Sequence, residues 1–181
     1  LDLAGVGTVT FDISYGGAFY ALADCAQWDL EFGRSRIRDF VDAATSLTEA
    51  VKHTHSITHP EHADLGFLYG TILTDGGDGS GGLATRNVCI FADAEVDRSP
   101  TGSGVTARLA AMHAKGDLQE GEPRLFESIT GAHFSGEVVR RANVGTHDAI
   151  VARVGGQAYY IGRAEYSLEE GDKLGKGFLL R

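Results

Sequence analysis

The 181-residue chain is 43% hydrophobic, which is enough to bury a core of its own and excludes a disordered tail. Acidic residues outnumber Lys and Arg by 25 to 16, which gives a formal net charge of -9. Since the chain also has no run rich in Lys and Arg, it is not expected to bind nucleic acid.

The apolar runs and the cysteines bear on the compartment. The apolar run at residues 18–23 is far shorter than the roughly 20 residues that a membrane-spanning helix needs, so no membrane association is expected. The two cysteines, Cys25 and Cys89, are predicted to be small core residues and not a disulfide pair. We therefore expect a cytoplasmic protein.

A strand, a turn and a second strand are predicted near the start of the chain. Residues 6–14 mix β-branched and apolar residues with polar ones, and Gly16 and Gly17 separate them from the run at 18–23. The two glycines either let the backbone approach a substrate pocket or only form a turn. Sequence alone favours the turn.

The longest helical pattern begins after Ser35, a residue type that caps helices well. Apolar residues recur on one face of this predicted helix, at Ile37, Phe40, Val41, Ala44, Leu47 and Val51. The opposite face is charged, at Arg38, Asp39, Asp42 and Glu49. We expect the helix to pack inside or against a curved sheet, not in a membrane or on a partner helix.

Four histidines follow within ten residues, at His53, His55, His59 and His62. Neutral imidazole is a common zinc ligand. However, no cysteine lies among them, their spacing matches no common zinc pattern, and Pro60 indicates a loop. We therefore expect solvated loop histidines and no metal site.

A glycine-rich loop is predicted between two strands, at residues 66–74 and 86–92. Within the loop, at residues 75–82, only Asp75, Asp78 and Ser80 interrupt glycine, which is typical of a flexible hairpin or lid tip. A phosphate-binding loop would need a Gly-Lys-Ser/Thr ending, which this segment lacks.

The stretch at residues 97–107 predicts a binding site for an anion. Pro100 disfavours helix at the residue before it, while Gly102 and Gly104 let the backbone turn sharply and approach a ligand. A helix is then predicted over residues 105–115. The first N–H groups of a helix have no intrahelical partner and the helix dipole is positive there, so main chain alone can hold a carboxylate or phosphate.

The remaining chain is predicted to form strands, at residues 124–130, 133–141, 149–154 and 157–166. Glycines at 131, 145 and 155–156 are predicted to be hairpin turns between them. Strands therefore dominate, with two substantial helices, which indicates an α+β fold and not an alternating parallel series.

Dinucleotide binding is the main alternative for the glycine turn, because Gly102-x-Gly104-x-x-Ala107 satisfies a relaxed Rossmann fingerprint. That fold places the glycines directly after a buried strand. Here the preceding apolar strand is predicted to end near Ala92, ten residues earlier, so NAD binding is not favoured.

The same turn carries a family resemblance. Asp-Arg-Ser-Pro at residues 97–100, then one position, then Gly-x-Gly, resembles the second-half signature of the proline racemase and hydroxyproline epimerase family. In its racemases and epimerases that one position is Cys, whereas here it is Thr101, as in the family's trans-3-hydroxy-L-proline dehydratase branch. Similar segments cover nearly the whole chain, at residues 12–20, 59–60, 127–134 and 175–178.

The resemblance implies one lobe of the diaminopimelate-epimerase-like fold, in which a strongly curved, mostly antiparallel sheet wraps around a central helix. Family proteins are about twice as long, and their first half carries a catalytic Cys in a Met-Cys-Gly-His-type motif that this chain lacks. We therefore interpret residues 1–181 as the second-half lobe, with the last few residues allowed to belong to the other lobe. The active site would lie between the lobes.

The resemblance also implies roles for residues of the turn. The N–H groups of Gly102 and Ser103 would bind the substrate carboxylate, and Asp97 would accept from the ring ammonium. Without the resemblance, Asp97 reads equally well as a structural cap of the turn. Thr101 would line the ring face opposite the first-half Cys, where its hydroxyl could hydrogen-bond the leaving hydroxyl or its water.

Racemisation needs a base on each face of the ring, and a threonine hydroxyl holds its proton at any working pH. The resemblance therefore implies a lyase that dehydrates trans-3-hydroxy-L-proline to Δ1-pyrroline-2-carboxylate with one base, no cofactor and no metal. Proline racemase or 4-hydroxyproline 2-epimerase activity is the nearest alternative, and a non-catalytic binding or dimerisation lobe is another. The isolated chain is expected to be inactive, and the complete protein could be a homodimer.

Overall fold

A computed structural model describes residues 1–178 and forms two helices and ten strands within that range. The helices are α1 (Ile37–Thr54) and α2 (Gly102–Lys115). The strands before α2 are β1 (Asp2–Leu3), β2 (Gly7–Thr8), β3 (Asp12–Tyr15), β4 (Phe19–Asp24), β5 (Leu68–Thr74), β6 (Thr85–Phe91) and β7 (Glu95–Val96). Those after it are β8 (Arg124–Ser128), β9 (His133–Val144) and β10 (His147–Gly156).

One sheet contains all of these strands except the β1–β2 hairpin. Its order is β10-β9-β8-β6-β5-β4-β3, with β7 paired to β6. Pairing is antiparallel except between β4 and β5 and between β6 and β8. Strands from both ends of the sheet, β3 and β10, contact α2, so the sheet curls around that helix. The α+β class and the curved sheet around a central helix are thereby confirmed.

The two helices pack on opposite faces of the curled sheet. Phe40, Leu47 and Val51 of α1 are fully buried against the outer face of the sheet. On the inner face, Val105 and Leu109 of α2 pack on side chains from β8 and β9. Within residues 1–178, neither helix is long and apolar enough to cross a membrane.

Both predicted helix starts need correction. Ser35 does not cap α1: its hydroxyl accepts from the N–H of Glu31, while the N–H of Arg36 donates to the carboxylate of Asp39. The second helix begins at Gly102 and not at Val105. The N–H of Val105 already donates to the carbonyl of Thr101, because the glycines themselves form the first turn.

Two predicted strands also differ. Residues 6–14 are interrupted, because residues 7–8 pair back onto β1 before β3 begins. The predicted strand at 157–166 is absent from the described part of the chain, and Gly155 and Gly156 end β10 instead of forming a turn. Large side chains there, such as Tyr159 and Tyr160, are at least 80% exposed, since no neighbouring strand of residues 1–178 pairs with them.

The strands and turns elsewhere follow the prediction. β9 and β10 are joined at Gly145, and the glycine-rich loop joins the antiparallel strands β5 and β6 as a hairpin. Cys25 and Cys89 are buried free thiols, as predicted. The prediction that the last few residues belong to another lobe falls partly on residues 179–181, which lie outside the described residues.

Burial of Cys89 has a consequence for alkaline stability. Desolvation raises the pKa of this thiol from 9.0 to about 12, so between those values the folded protein keeps a proton that the unfolded chain loses. The stabilisation is complete below about pH 9 and is lost as the pH rises towards the folded pKa. In urea unfolding under reducing conditions, full-length Cys89→Ala protein should lose stability with pH less steeply than wild type. Identical slopes would contradict this.

Candidate active site

The turn before α2 places Thr101 in an unusual backbone conformation. Its φ is 66° and its ψ is 105°, and its side chain is buried. A β-branched residue with positive φ costs on the order of 1–3 kcal/mol and persists only when its surroundings hold it there. The N–H of Thr101 donates to the Ser99 hydroxyl at 3.0 Å, and its carbonyl accepts from the N–H of Val105 at 2.7 Å.

Asp97 binds the turn through both of its carboxylate oxygens. Oδ2 accepts from the hydroxyl of Thr101 at 2.7 Å, and Oδ1 accepts from the N–H of Ser99 at 2.8 Å. Asp97 therefore does cap the turn, as its structural interpretation predicted. Each carboxylate oxygen can accept a second hydrogen bond, so these contacts leave capacity for a ligand cation.

The start of α2 presents unpaired main-chain donors. The first intrahelical bond is made by Val105, so the N–H groups of Gly102 and Ser103 precede the helical ladder. Among the hydrogen bonds within residues 1–178, none is donated by these two amides. Gly102 is exposed and Ser103 is partly exposed. An anion can therefore reach both groups at the positive end of the helix dipole.

Tyr20 supports this turn and was not predicted from the sequence. Its hydroxyl lies 2.7 Å from the hydroxyl of Ser103, and burial raises its pKa to about 12, so the group stays a neutral phenol. Ser14 also reaches α2, by donating to the carbonyl of Ala107 at 2.8 Å. Both residues lie in the segment at 12–20 that resembles the family, and this resemblance is the sequence feature that could have identified them.

Gly16 has a packing role that neither proposed function of the double glycine anticipated. A Cβ at Gly16 would lie 2.1 Å from the carbonyl oxygen of Ser103 and 2.4 Å from the nitrogen of Ala107. The backbone between β3 and β4 therefore approaches α2, and only glycine allows that approach.

Gly16→Ala should destabilise the full-length protein by about 2–3 kcal/mol, because two backbone atoms of a helix cannot move aside as a side-chain end can. Thermal unfolding measures the effect. A melting temperature equal to that of the wild-type protein would show that the approach of Gly16 to α2 is not tight.

A cavity of about 720 Å³ lies beside this site, between the two ends of the sheet. Its walls include Tyr15, His59 and His147, and α2 contributes small residues such as Ala111. The predicted site residues Asp97, Thr101, Gly102 and Ser103 do not line it. Gly102 is exposed, Asp97 and Ser103 are partly exposed, and the side chain of Thr101 is buried.

Two of the loop histidines lie together, with the ring centroids of His59 and His62 5.3 Å apart. Nδ1 of His59 accepts from the N–H groups of Glu61 and His62, and its ring packs against Tyr15. Among residues 1–178, no group of three or more His, Cys, Asp or Glu side chains is arranged to hold a metal ion.

The proline racemase family model matches residues 1–179 of this chain. The chain belongs to the proline racemase family. Its relatives include the trans-L-3-hydroxyproline dehydratase of Mus musculus, at 52% identity, and the trans-3-hydroxy-L-proline dehydratase of Homo sapiens, at 50%. Both alignments cover 100% of this chain and 51% of the relative, so the chain spans about half the length of these curated relatives.

Solved structures of this family share the fold. A hydroxyproline epimerase from Agrobacterium vitis, with bound trans-4-hydroxy-L-proline, is 29% identical with a TM-score of 0.90. The match covers 99% of this chain and 51% of the epimerase. A probable proline racemase from Agrobacterium radiobacter K84, with bound carbonate, gives the same identity and TM-score. The diaminopimelate-epimerase-like fold predicted from the sequence is thereby confirmed.

Proposed function

We propose that the complete protein dehydrates trans-3-hydroxy-L-proline to Δ1-pyrroline-2-carboxylate and is a hydro-lyase. The observation that carries the proposal is Thr101, which occupies the reactive position of the family signature next to the free amides of α2. The dehydratase names of the mouse and human relatives support it. Their match extends over the whole chain, including this turn.

We further propose that residues 1–181 are the second-half lobe of a two-lobe enzyme. The coverage of about half of each relative agrees with this. Exposed apolar side chains after β10 also support it, because Tyr159, Ile161 and Tyr166 are each at least 80% exposed and would suit burial against another lobe. The base would then be a Cys of the first half, facing the turn before α2.

In this proposal the turn recognises the two charged ends of the amino acid. The N–H groups of Gly102 and Ser103 bind the carboxylate, where the helix dipole favours negative charge. The carboxylate of Asp97 accepts from the ring ammonium while still holding Thr101 and Ser99. The amide donors stabilise the negative charge that develops on the substrate carboxylate as the α-carbon loses its proton, and the contact with Asp97 orients the ring.

The stereochemistry of the substrate refines the role of Thr101. In a trans-3-hydroxyproline the carboxylate and the hydroxyl lie on opposite ring faces, so the α-hydrogen and the hydroxyl lie on the same face. One cysteine thiolate on that face can take the α-proton and, as the resulting thiol, give it to the departing hydroxide, yielding water and an enamine that tautomerises to the imine. Thr101 would then line the other face, away from the leaving group, and would not hydrogen-bond it as the sequence first suggested.

The proton of the Thr101 hydroxyl supports the one-base scheme. It is directed to Asp97 at 2.7 Å, so the side chain has no free proton to deliver to the α-carbon. Nor can an unassisted alcohol accept a proton as a thiolate does. The face that Thr101 covers is therefore inert to proton transfer.

Turnover of the full-length protein tests the proposal. Trans-3-hydroxy-L-proline, trans-4-hydroxy-L-proline and L-proline are offered side by side, with water loss followed by NMR and inversion followed by polarimetry. We expect dehydration of the first and no inversion of the others. Inversion of L-proline or trans-4-hydroxy-L-proline with trans-3-hydroxy-L-proline untouched would overturn the proposal in favour of a racemase or epimerase. Failure to act on or bind any of them would favour a non-catalytic lobe.

A further inference from the structure

A buried cation lies behind the reactive turn. Arg108 of α2 is only 4% exposed, and no carboxylate of residues 1–178 lies within 4.0 Å of its guanidinium. It donates instead to the side chain of Asn87, the hydroxyl of Thr85 and the carbonyl of Gly77, at 3.2, 2.9 and 3.1 Å. Its guanidinium also lies over the Phe126 ring. The counter-charge of Asp75 reaches Arg108 only through the Thr85 hydroxyl, which donates to the Asp75 carboxylate at 2.7 Å. Burying a cation without a direct ion pair costs stability, so packing alone does not account for Arg108.

Arg108 fixes the orientation of the Asn87 side chain. A guanidinium can only donate hydrogen bonds, so Asn87 must turn its Oδ1 towards Arg108. The Nδ2 group of Asn87 then points the other way and donates to the carbonyl of Pro100 at 3.1 Å. Asn87 is fully buried in β6, and it has no solvent alternative for either end of its amide.

The carbonyl of Pro100 belongs to the peptide unit that leads into Thr101. Asn87 holds the oxygen of this unit, and Ser99 holds its N–H at 3.0 Å. The orientation of this peptide plane determines the φ of Thr101, which is 66°. Hydrogen bonds on both sides of the plane therefore oppose its relaxation to a less strained backbone.

We propose that Asn87 and Arg108 are positioning residues, which hold the Pro100–Thr101 peptide so that the amides of Gly102 and Ser103 face the substrate carboxylate. This role rests on the proposed function of the turn. Neither residue would touch the substrate. Arg108 acts through Asn87, and Asn87 acts through the peptide.

Asn87→Asp in the full-length protein isolates this link. The new side chain keeps its size and pairs with Arg108, so burial stays compensated, but an oxygen replaces the donor that faces Pro100. We expect kcat/KM for trans-3-hydroxy-L-proline to fall about ten- to hundredfold, since small misplacements of binding groups have effects of that size. Hydrogen–deuterium exchange of peptides covering residues 97–105 should also become faster.

A matched arginine pair separates positioning from stability. Arg124 is also buried and donates to the carbonyls of Pro123 and Asp117, both at 3.1 Å, without contacting Asn87. Arg108→Lys should lower kcat/KM and the melting temperature, whereas Arg124→Lys should lower only the melting temperature. If Asn87→Asp does not fold, this pair decides the question alone.

Two results would overturn the inference. The first is that the Asn87→Asp protein has the same kcat/KM and the same exchange rates as the wild-type protein. The second is an equal loss of kcat/KM in Arg108→Lys and Arg124→Lys at equal melting temperature. If the wild-type enzyme dehydrates trans-3-hydroxy-L-proline, either result leaves the proposed function standing. A wild-type protein without this activity contradicts the proposed function itself. In that case the exchange rates still decide whether Asn87 holds the turn.

Discussion

Full-length protein carrying Thr101→Cys is expected to invert the α-carbon of L-proline, which the wild-type protein does not invert. A thiol ionises near pH 8.5, so the second ring face would gain a group that can accept and return a proton. General acid–base catalysis contributes about 10²–10⁴-fold, so inversion should exceed the wild-type background by at least about a hundredfold. Polarimetry measures the inversion.

The surroundings of Thr101 set the limits of this gain. The carboxylate of Asp97 would oppose ionisation of a thiol placed 2.7 Å away, whereas the start of α2 would favour it. Thr101→Ser is the control, because it keeps the hydroxyl and its bond to Asp97 and should show no inversion. A folded Thr101→Cys protein that dehydrates trans-3-hydroxy-L-proline without any inversion of L-proline would weaken the one-base explanation.

The turn could be found from the sequence because its parts are contiguous. Asp97, Thr101 and the glycines lie within eight positions, so a local pattern and one family signature were sufficient. The supporting residues are far away in the chain: Tyr20 is 83 positions from Ser103, and Asn87 is 21 positions from Arg108. Only the register of the curled sheet brings them together, and a single sequence carries no signal of that register.

The predicted strand at residues 157–166 marks another limit of sequence reasoning. Its β-branched and aromatic residues favour an extended strand, but a strand also needs a neighbour to pair with. None of residues 1–178 supplies one. The residue types thus predicted an extended conformation, but they could not identify the strand that it would pair with.

Asp97→Asn should separate the charge of Asp97 from its structural contacts. The remaining oxygen can still accept from the N–H of Ser99, and the new amide can donate to the hydroxyl of Thr101, so the turn should persist. Loss of the charge removes the partner of the ring ammonium. A charge-assisted hydrogen bond contributes about 1.5–3 kcal/mol, so kcat/KM for trans-3-hydroxy-L-proline should fall about ten- to hundredfold.

Pyrrole-2-carboxylate provides the comparison that makes this result specific. It carries the carboxylate but no ring ammonium, so calorimetric titration of the full-length Asp97→Asn protein should give an affinity close to that of wild type. A loss of this affinity together with a large drop in melting temperature would mean that Asp97 only shapes the turn. Unchanged kcat/KM would exclude a role for its charge. Trans-3-hydroxy-L-proline has a ring ammonium and pyrrole-2-carboxylate does not. A direct contact between Asp97 and the ammonium therefore predicts a loss of kcat/KM for the first and an unchanged affinity for the second.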